Sequence, residues 1–206
     1  NELKDIFKNC IEDESIRAII LTGSGKKAFI AGADIKIMEK LDSKSAHDFG
    51  LLGQELTNII ENSTKPIIAL VNGFALGGGC EISLACHIRL ACDNAMFGQP
   101  EVKLGLIPGW GGTQRLPRIV GKGLATELII TGKIIDSNEA YRIGLVNKIL
   151  KGNNLIEESF EFAKLILQNG PKAISKSLSC INNSSNSSLN GGLENELETF
   201  SKLFGS

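Results

Sequence analysis

Histidine is almost missing from this chain. There are two in 206 residues, His47 and His87. His47 falls in a stretch of helical period and His87 opens an apolar run. Both read as structural, which weighs against a Ser-His or Cys-His nucleophilic mechanism. Paired cysteines are missing too. The five are Cys10, Cys80, Cys86, Cys92 and Cys180, and three of them recur at six-residue spacing without any CxxC. A structural zinc site needs the paired spacing, so no metal site is expected, and the thiols read as reduced and mostly buried. Net charge is nearly absent, at −1. That leaves no basic field to draw nucleic acid or anionic lipid. No apolar run reaches the 18 residues of a membrane span. The longest, Ile67 to Leu76, is broken by Asn72 and Gly73. No signal peptide is visible in the sequence, which opens at Asn1 without Met. A cytoplasmic protein is expected, with mitochondrial import left open because the true start can lie upstream.

The remaining composition is that of a globular domain, 42% hydrophobic and 22% charged. A chain of this length buries roughly 70% of its unfolded surface, enough for a real core. Helical spacing covers 2–12 and 44–61. "RAIILTG" (17–23), "KPIIALVNG" (65–73) and "HIRLACD" (87–93) read as buried strands. "KAFIAGADI" (27–35) reads as a short strand running into a loop, with Asp34 capping a following helix. A helix is expected over 80–86, and 94–112 reads as loop because of its prolines and glycines. Helices follow at 113–120, 121–131 and 137–143, then a short strand "VNKIL" (146–150). Everything beyond 153 is helical by period, with "NNSSNSS" (182–188) as a frayed loop or helix end. Strands separated by helices predict an α/β protein with a largely parallel layer and a helical tail.

Chemistry concentrates at "ALGGGCE" (75–81). A glycine-rich turn from strand to helix often cradles phosphate. Here Glu81 stands where a P-loop needs Lys or a hydroxyl, and GxGxxG is absent from this turn. Bare backbone N–H groups at a helix start also suit an oxygen that gains charge during a reaction. Close packing of helix on strand, with Glu81 as a first-turn charge, explains the triplet equally well. A second acid, Glu101, follows Pro100 in "FGQPEVKLGLIPGWGGTQRLP" (97–117). It reads either as a solvated loop residue or as the partner of Glu81 in acid–base work. Trp110, between two glycines, reads as a pocket wall rather than a platform for stacking a base. Cys80 is disfavoured as a nucleophile by the carboxylate beside it.

Three stretches in order, "FIAGADI" (29–35), "VNGFALGGGCEISLAC" (71–86) and "FGQPEVKLGLIPGWGGTQRLPRIVG" (97–121), resemble the signature of the enoyl-CoA hydratase/isomerase (crotonase) family. The run "ATELIITGKIIDSNEAYRIGLVNKI" (125–149) matches in register. Within the family the likeness is to the bacterial short-chain enoyl-CoA hydratases.

The resemblance implies a crotonase-like spiral of repeated ββα turns over 1–150 and an incomplete helical C-terminal region over 151–206. It implies a homotrimer or dimer of trimers, and a coenzyme A thioester as substrate with no separate cofactor. By motif match Glu81 and Glu101 are the catalytic acids, their individual roles open. The N–H groups of Ala31 and Gly78 form the oxyanion hole. Ala31, Gly32, Ala33, Asp34, Gly78 and Gly109 bind substrate. The acid pair favours a lyase that hydrates the 2,3 double bond of a short-chain enoyl-CoA. A 3,2-enoyl-CoA isomerase and a non-catalytic acyl-CoA- or protein-binding relative stand as alternatives. The resemblance also implies further segments at both ends, so the sequence is expected to be truncated. His87 replaces the Asp usual in the family, and a local structural effect is expected from it.

Overall fold

The computed structural model describes residues 2–32, 34–152 and 154–204. Among these residues eight short strands form two four-stranded sheets, and each turn of the chain adds one strand to each sheet. After helix α1 (Glu2–Glu12), the first turn runs β1 (Ile19–Thr22), β2 (Ala28–Ile30), α2 (Ile35–Met38) and α3 (Ser43–Glu61). The second runs β3 (Ile67–Val71), β4 (Phe74–Leu76) and α4 (Gly78–Ala85). The third runs β5 (Ile88–Cys92), β6 (Met96–Gly98), a 3-10 helix (Glu101–Leu104), α5 (Gly112–Val120) and α6 (Lys122–Thr131). Then come β7 (Ile134–Asp136), α7 (Ser137–Arg142) and β8 (Lys148–Leu150). Helices α8 (Leu155–Leu167), α9 (Pro171–Ser184) and α10 (Leu189–Ser201) finish the described chain.

One sheet has the order β1-β3-β5-β8, all parallel; the other has β2-β4-β6-β7, with β7 antiparallel. Strand β3 shows why the sequence dictates this. All five residues of "IIALV" are buried, as expected of a parallel strand covered on both faces. Alternation then sorts them: Ile67, Ala69 and Val71 join the main core, while Ile68 and Leu70 pack with Leu90, Leu150 and Ala163 beneath α8. Asn72 staples one turn to the next at the corner. Its Oδ1 accepts the Gly23 N–H at 3.1 Å, and its Nδ2 donates to the Gly23 and Gly25 carbonyls at 2.9 and 2.8 Å. Helix α3 starts at a capping box in which Asp42 and Ser45 exchange bonds.

The expected helices and long strands are present with ends shifted by a few residues: the helix expected over 80–86 spans 78–85, and the strand expected over 87–93 spans 88–92. The reading of 94–112 as loop is corrected. It holds β6 and the 3-10 helix, because the "MFG" backbone is paired with β4 and β7 on either side. Strands β4 and β7, three residues each, were not foreseen. "NNSSNSS" is divided: α9 ends at Ser184, and Ser188 caps α10 by accepting the Gly191 N–H at 3.2 Å. Among the described residues no helix is long and apolar enough to cross a membrane.

Candidate active site

The glycine triplet lies where β4 turns into α4, and each glycine has its own reason. Gly77 takes φ +54, a conformation open to glycine and costly for other residues. Its N–H donates to the Gly98 carbonyl at 3.0 Å, tying β4 to the end of β6. A Cβ on Gly78 would stand 2.6 Å from the Trp110 ring. A Cβ on Gly79 would stand 1.9 Å from the Ile30 carbonyl oxygen, so α4 presses directly on β2. Close packing and an open helix start thus coexist. The Gly78 N–H belongs to the first turn of α4, where the helix has no acceptor of its own.

Glu81 is 2% exposed, one turn into α4. Its Oε1 accepts two backbone N–H groups, from Trp110 and from Gly112, both at 2.7 Å. Burial pushes its pKa up, and those two bonds and the Arg115 charge pull it down. Glu101 opens the 3-10 helix with Pro100 as its cap. Its Oε1 lies 3.1 Å from where a Cβ on Gly77 would be, so the second acid stands against the triplet. It is half-buried, not a solvated loop residue. Burial, aided by the Glu81 charge, pushes its pKa up to about 7. Gln99 is 1% exposed and, with its amide nitrogen turned toward the acid, donates to both Glu101 oxygens at 3.0 and 3.1 Å.

Trp110 closes this corner. Its ring lies on Gly53, where a Cβ would meet it at 2.1 Å, and 5.4 Å from the Phe49 ring. The preceding residue is strapped to α3 as well, with Gln54 Nε2 donating to the Gly109 carbonyl at 3.0 Å. Arg115, in α5, holds the strap from behind.

Of the other expected site residues, Ala31 is exposed at the end of β2. Gly32 is at φ +107, and a Cβ there would be 3.2 Å from the Leu76 carbonyl, so this segment flanks the triplet. Asp34 caps α2, accepting the Lys36 N–H at 2.9 Å. Ala33 lies outside the described residues. Cys80 is buried; burial, with Glu81 and Glu101 nearby, pushes its thiol up to about 12, so it is no nucleophile. His87 bridges two backbones. Its Nδ1 accepts the Ile67 N–H at 3.0 Å, and its Nε2 lies 3.2 Å from the Glu61 carbonyl. Burial lowers its pKa, so the neutral ring is a structural strut. Among the described residues no group of three or more His, Cys, Asp or Glu side chains could hold a metal ion.

Gln99, Thr57 and Arg115 went unnoticed in the sequence. Two of the three lie inside the stretch 97–117 already singled out there.

A spiral of two four-stranded ladders, with one buried and one half-buried acid around a glycine-opened helix start, has clear relatives. The family model for enoyl-CoA hydratase/isomerase matches residues 1–206, and the chain belongs to that family. It is 45% identical over 203 residues to a crotonyl-CoA hydratase of Syntrophomonas wolfei, covering 98% of this chain and 78% of that protein. It is 47% identical over 203 residues, with the same coverage, to a short-chain-enoyl-CoA hydratase of Clostridium acetobutylicum. Among solved structures, an enoyl-CoA hydratase from Bacillus anthracis superposes with a TM-score of 0.95 at 39% identity, covering 100% of this chain and 80% of that one.

Proposed function

We propose that the protein hydrates the 2,3 double bond of a short-chain trans-2-enoyl-CoA, giving the 3-hydroxyacyl-CoA. The observation that carries this is the pairing of two acids in unlike settings around one helix start. Glu81 has one oxygen tied by two N–H groups and the other left over. Glu101 faces the triplet and is pushed up to about 7.

In this reading the Ala31 and Gly78 N–H groups receive the thioester oxygen. Such a donor stabilises a developing oxyanion by about 2.7–4 kcal/mol. Glu81 is assigned the carboxylate role on geometry, since two N–H groups converge on one of its oxygens; burial raises its pKa, and those bonds and Arg115 oppose that rise. It takes a proton from the water whose oxygen bonds the β-carbon. The double-bond electrons move onto the thioester oxygen as an enolate. Glu101 carries the proton that returns to the α-carbon. The two acids end with protons exchanged and reset through solvent. Gly32, Asp34 and Gly109 flank the thioester path, and coenzyme A enters as part of the substrate with no further cofactor needed. Residues 1–150 form the spiral core and 151–206 a helical region, in a homotrimer or dimer of trimers. The names of the two relatives support the short acyl chain.

Loss of the crotonyl-CoA double-bond absorbance tests this. The wild-type chain is expected to turn over, and Glu81→Gln and Glu101→Gln each to fall by about 100-fold or more with folding intact, as general acid–base groups do. Near-normal hydration by either variant would remove that residue from the mechanism. Faster shift of a 3-enoyl-CoA than hydration would replace the hydratase reading by the isomerase.

A further inference from the structure

Arg115 is a buried cation with an unusually full set of partners. Its Nε and Nη2 donate to Glu61 Oε2 at 3.1 and 2.7 Å. Nη2 also donates to Asn58 Oδ1 at 2.9 Å. Nη1 donates to Thr57 Oγ1 at 3.1 Å and to the Trp110 carbonyl at 3.0 Å. The same carbonyl accepts from Thr57 Oγ1 at 2.9 Å. Three residues of one α3 turn therefore aim a guanidinium at a single peptide oxygen. Such a planar fork fixes direction as well as charge.

That oxygen belongs to the peptide joining Trp110 to Gly111. The peptides on either side of it supply the N–H groups of Trp110 and Gly112, the two that hold Glu81 Oε1. The clamped peptide lies between the two donors, and Gly111 at φ +110 lets the chain bend so that both point to one atom. Loosening the clamp frees both donors at once. Glu61 is fixed in turn: its carbonyl accepts from Asn182 of α9 and faces His87 Nε2.

We infer that Arg115, countered by Glu61, is a positioning residue for the acid–base step: it locks the Trp110 carbonyl so that two N–H groups hold one oxygen of Glu81 and leave the other for the reacting water. This rests on the hydratase reading above. The groups facing Glu81 are Arg115 from α5, Glu101 from the 3-10 helix and Cys80 on its own helix, with Glu61 of α3 behind Arg115. Of these, Arg115 favours the charged form of Glu81.

The test uses the full chain and the variants Arg115→Gln, Arg115→Lys, Thr57→Val and Glu61→Gln. It reads kcat and KM for crotonyl-CoA against pH, together with the 13C shift of the Glu81 carboxyl against pH. A misplacement near 1 Å can cost about 100-fold in rate, so Arg115→Gln is expected to lose kcat on that order with KM little changed. Its acid limb and the Glu81 titration both move to higher pH, since a neighbouring cation and two aligned donors are lost. Arg115→Lys restores the charge without the fork: the acid limb returns toward wild type while kcat stays low. Thr57→Val loses rate with a smaller pH shift, since the cation stays and only the alignment of the donors is loosened. Unchanged kcat in Arg115→Gln overturns the inference, and so does a rate loss with the Glu81 titration unmoved, which marks a purely structural role. If Arg115→Gln does not fold, unchanged kcat in both Thr57→Val and Glu61→Gln overturns it. If the wild-type chain hydrates no enoyl-CoA, the hydratase reading fails, and the Glu81 titration still decides for or against the clamp.

Discussion

A single methyl group cannot be added to Gly78 without meeting Trp110. The added carbon would lie 2.6 Å from the ring, and the ring cannot retreat because Gly53 and Phe49 back it. The same tryptophan supplies an N–H to Glu81. Gly78→Ala is therefore expected to displace the Trp110 backbone along with its ring. Trp110 is the one tryptophan in the sequence, so its fluorescence reports the shift directly. A change in emission together with a roughly 100-fold loss of turnover is expected, the size of a lost oxyanion donor. Normal emission and normal turnover would show that the contact constrains nothing.

The pH dependence of stability follows from Glu101. Its folded-state pKa, about 7, is raised above the ordinary 4.5. Between these values the folded state holds a proton that the unfolded state has released, so stability falls as pH rises through that window. Glu101→Gln removes this contribution. It is expected to melt higher than the wild type at pH 8 and to lose that advantage near pH 4. A wild-type advantage at pH 8 would mean that the acid is charged in the fold at little cost.

Thiol labelling separates the cysteines by depth. Burial pushes Cys80 and Cys86 up to about 12, and Cys92 is also buried. The thiolate is the reactive form, so iodoacetamide at pH 8 should leave these three unmodified in the folded chain. Cys10 and Cys180, both half-buried, should label first, and all five after unfolding. Mass spectrometry counts the adducts; rapid labelling of Cys80 in the native state would contradict the packing around Glu81.

Arg89 holds the far end of α4. Its Nε donates to the Leu145 carbonyl at 2.8 Å, and its Nη1 donates to the Ser83 and Cys86 carbonyls. Arg89→Met leaves buried acceptors short of donors, which costs at least ~2 kcal/mol. Urea unfolding measures it. A change within ~0.5 kcal/mol, as at an ordinary surface position, would show that the carbonyls find other donors.

Much of this was legible beforehand, and the misses have physical causes. Helix α3 announces itself by Phe49, Leu52, Leu56, Ile59 and Ile60 at helical spacing, and β3 by an unbroken apolar run. Strands β4, β6 and β7 are three residues long, too short for any period to show, and exist because neighbouring turns supply their hydrogen bonds. The two acids stood out by residue type and setting. What holds them did not: Glu81 is gripped by main-chain N–H groups 29 and 31 residues away, which carry no sequence signal. Arg115 reaches back more than 50 residues to α3, a contact that only the fold creates.

The two acids sit on consecutive windings. Glu81 follows β3 and β4, Glu101 follows β5 and β6, and these pairs are direct neighbours in their sheets. Adjacent strands lie about 4.8 Å apart whatever side chains they bear. The pitch of the coil thus serves as a ruler between the two carboxyl groups. Surface drift on any one winding leaves that ruler unchanged, whereas one residue inserted into β4 or β6 would reset it.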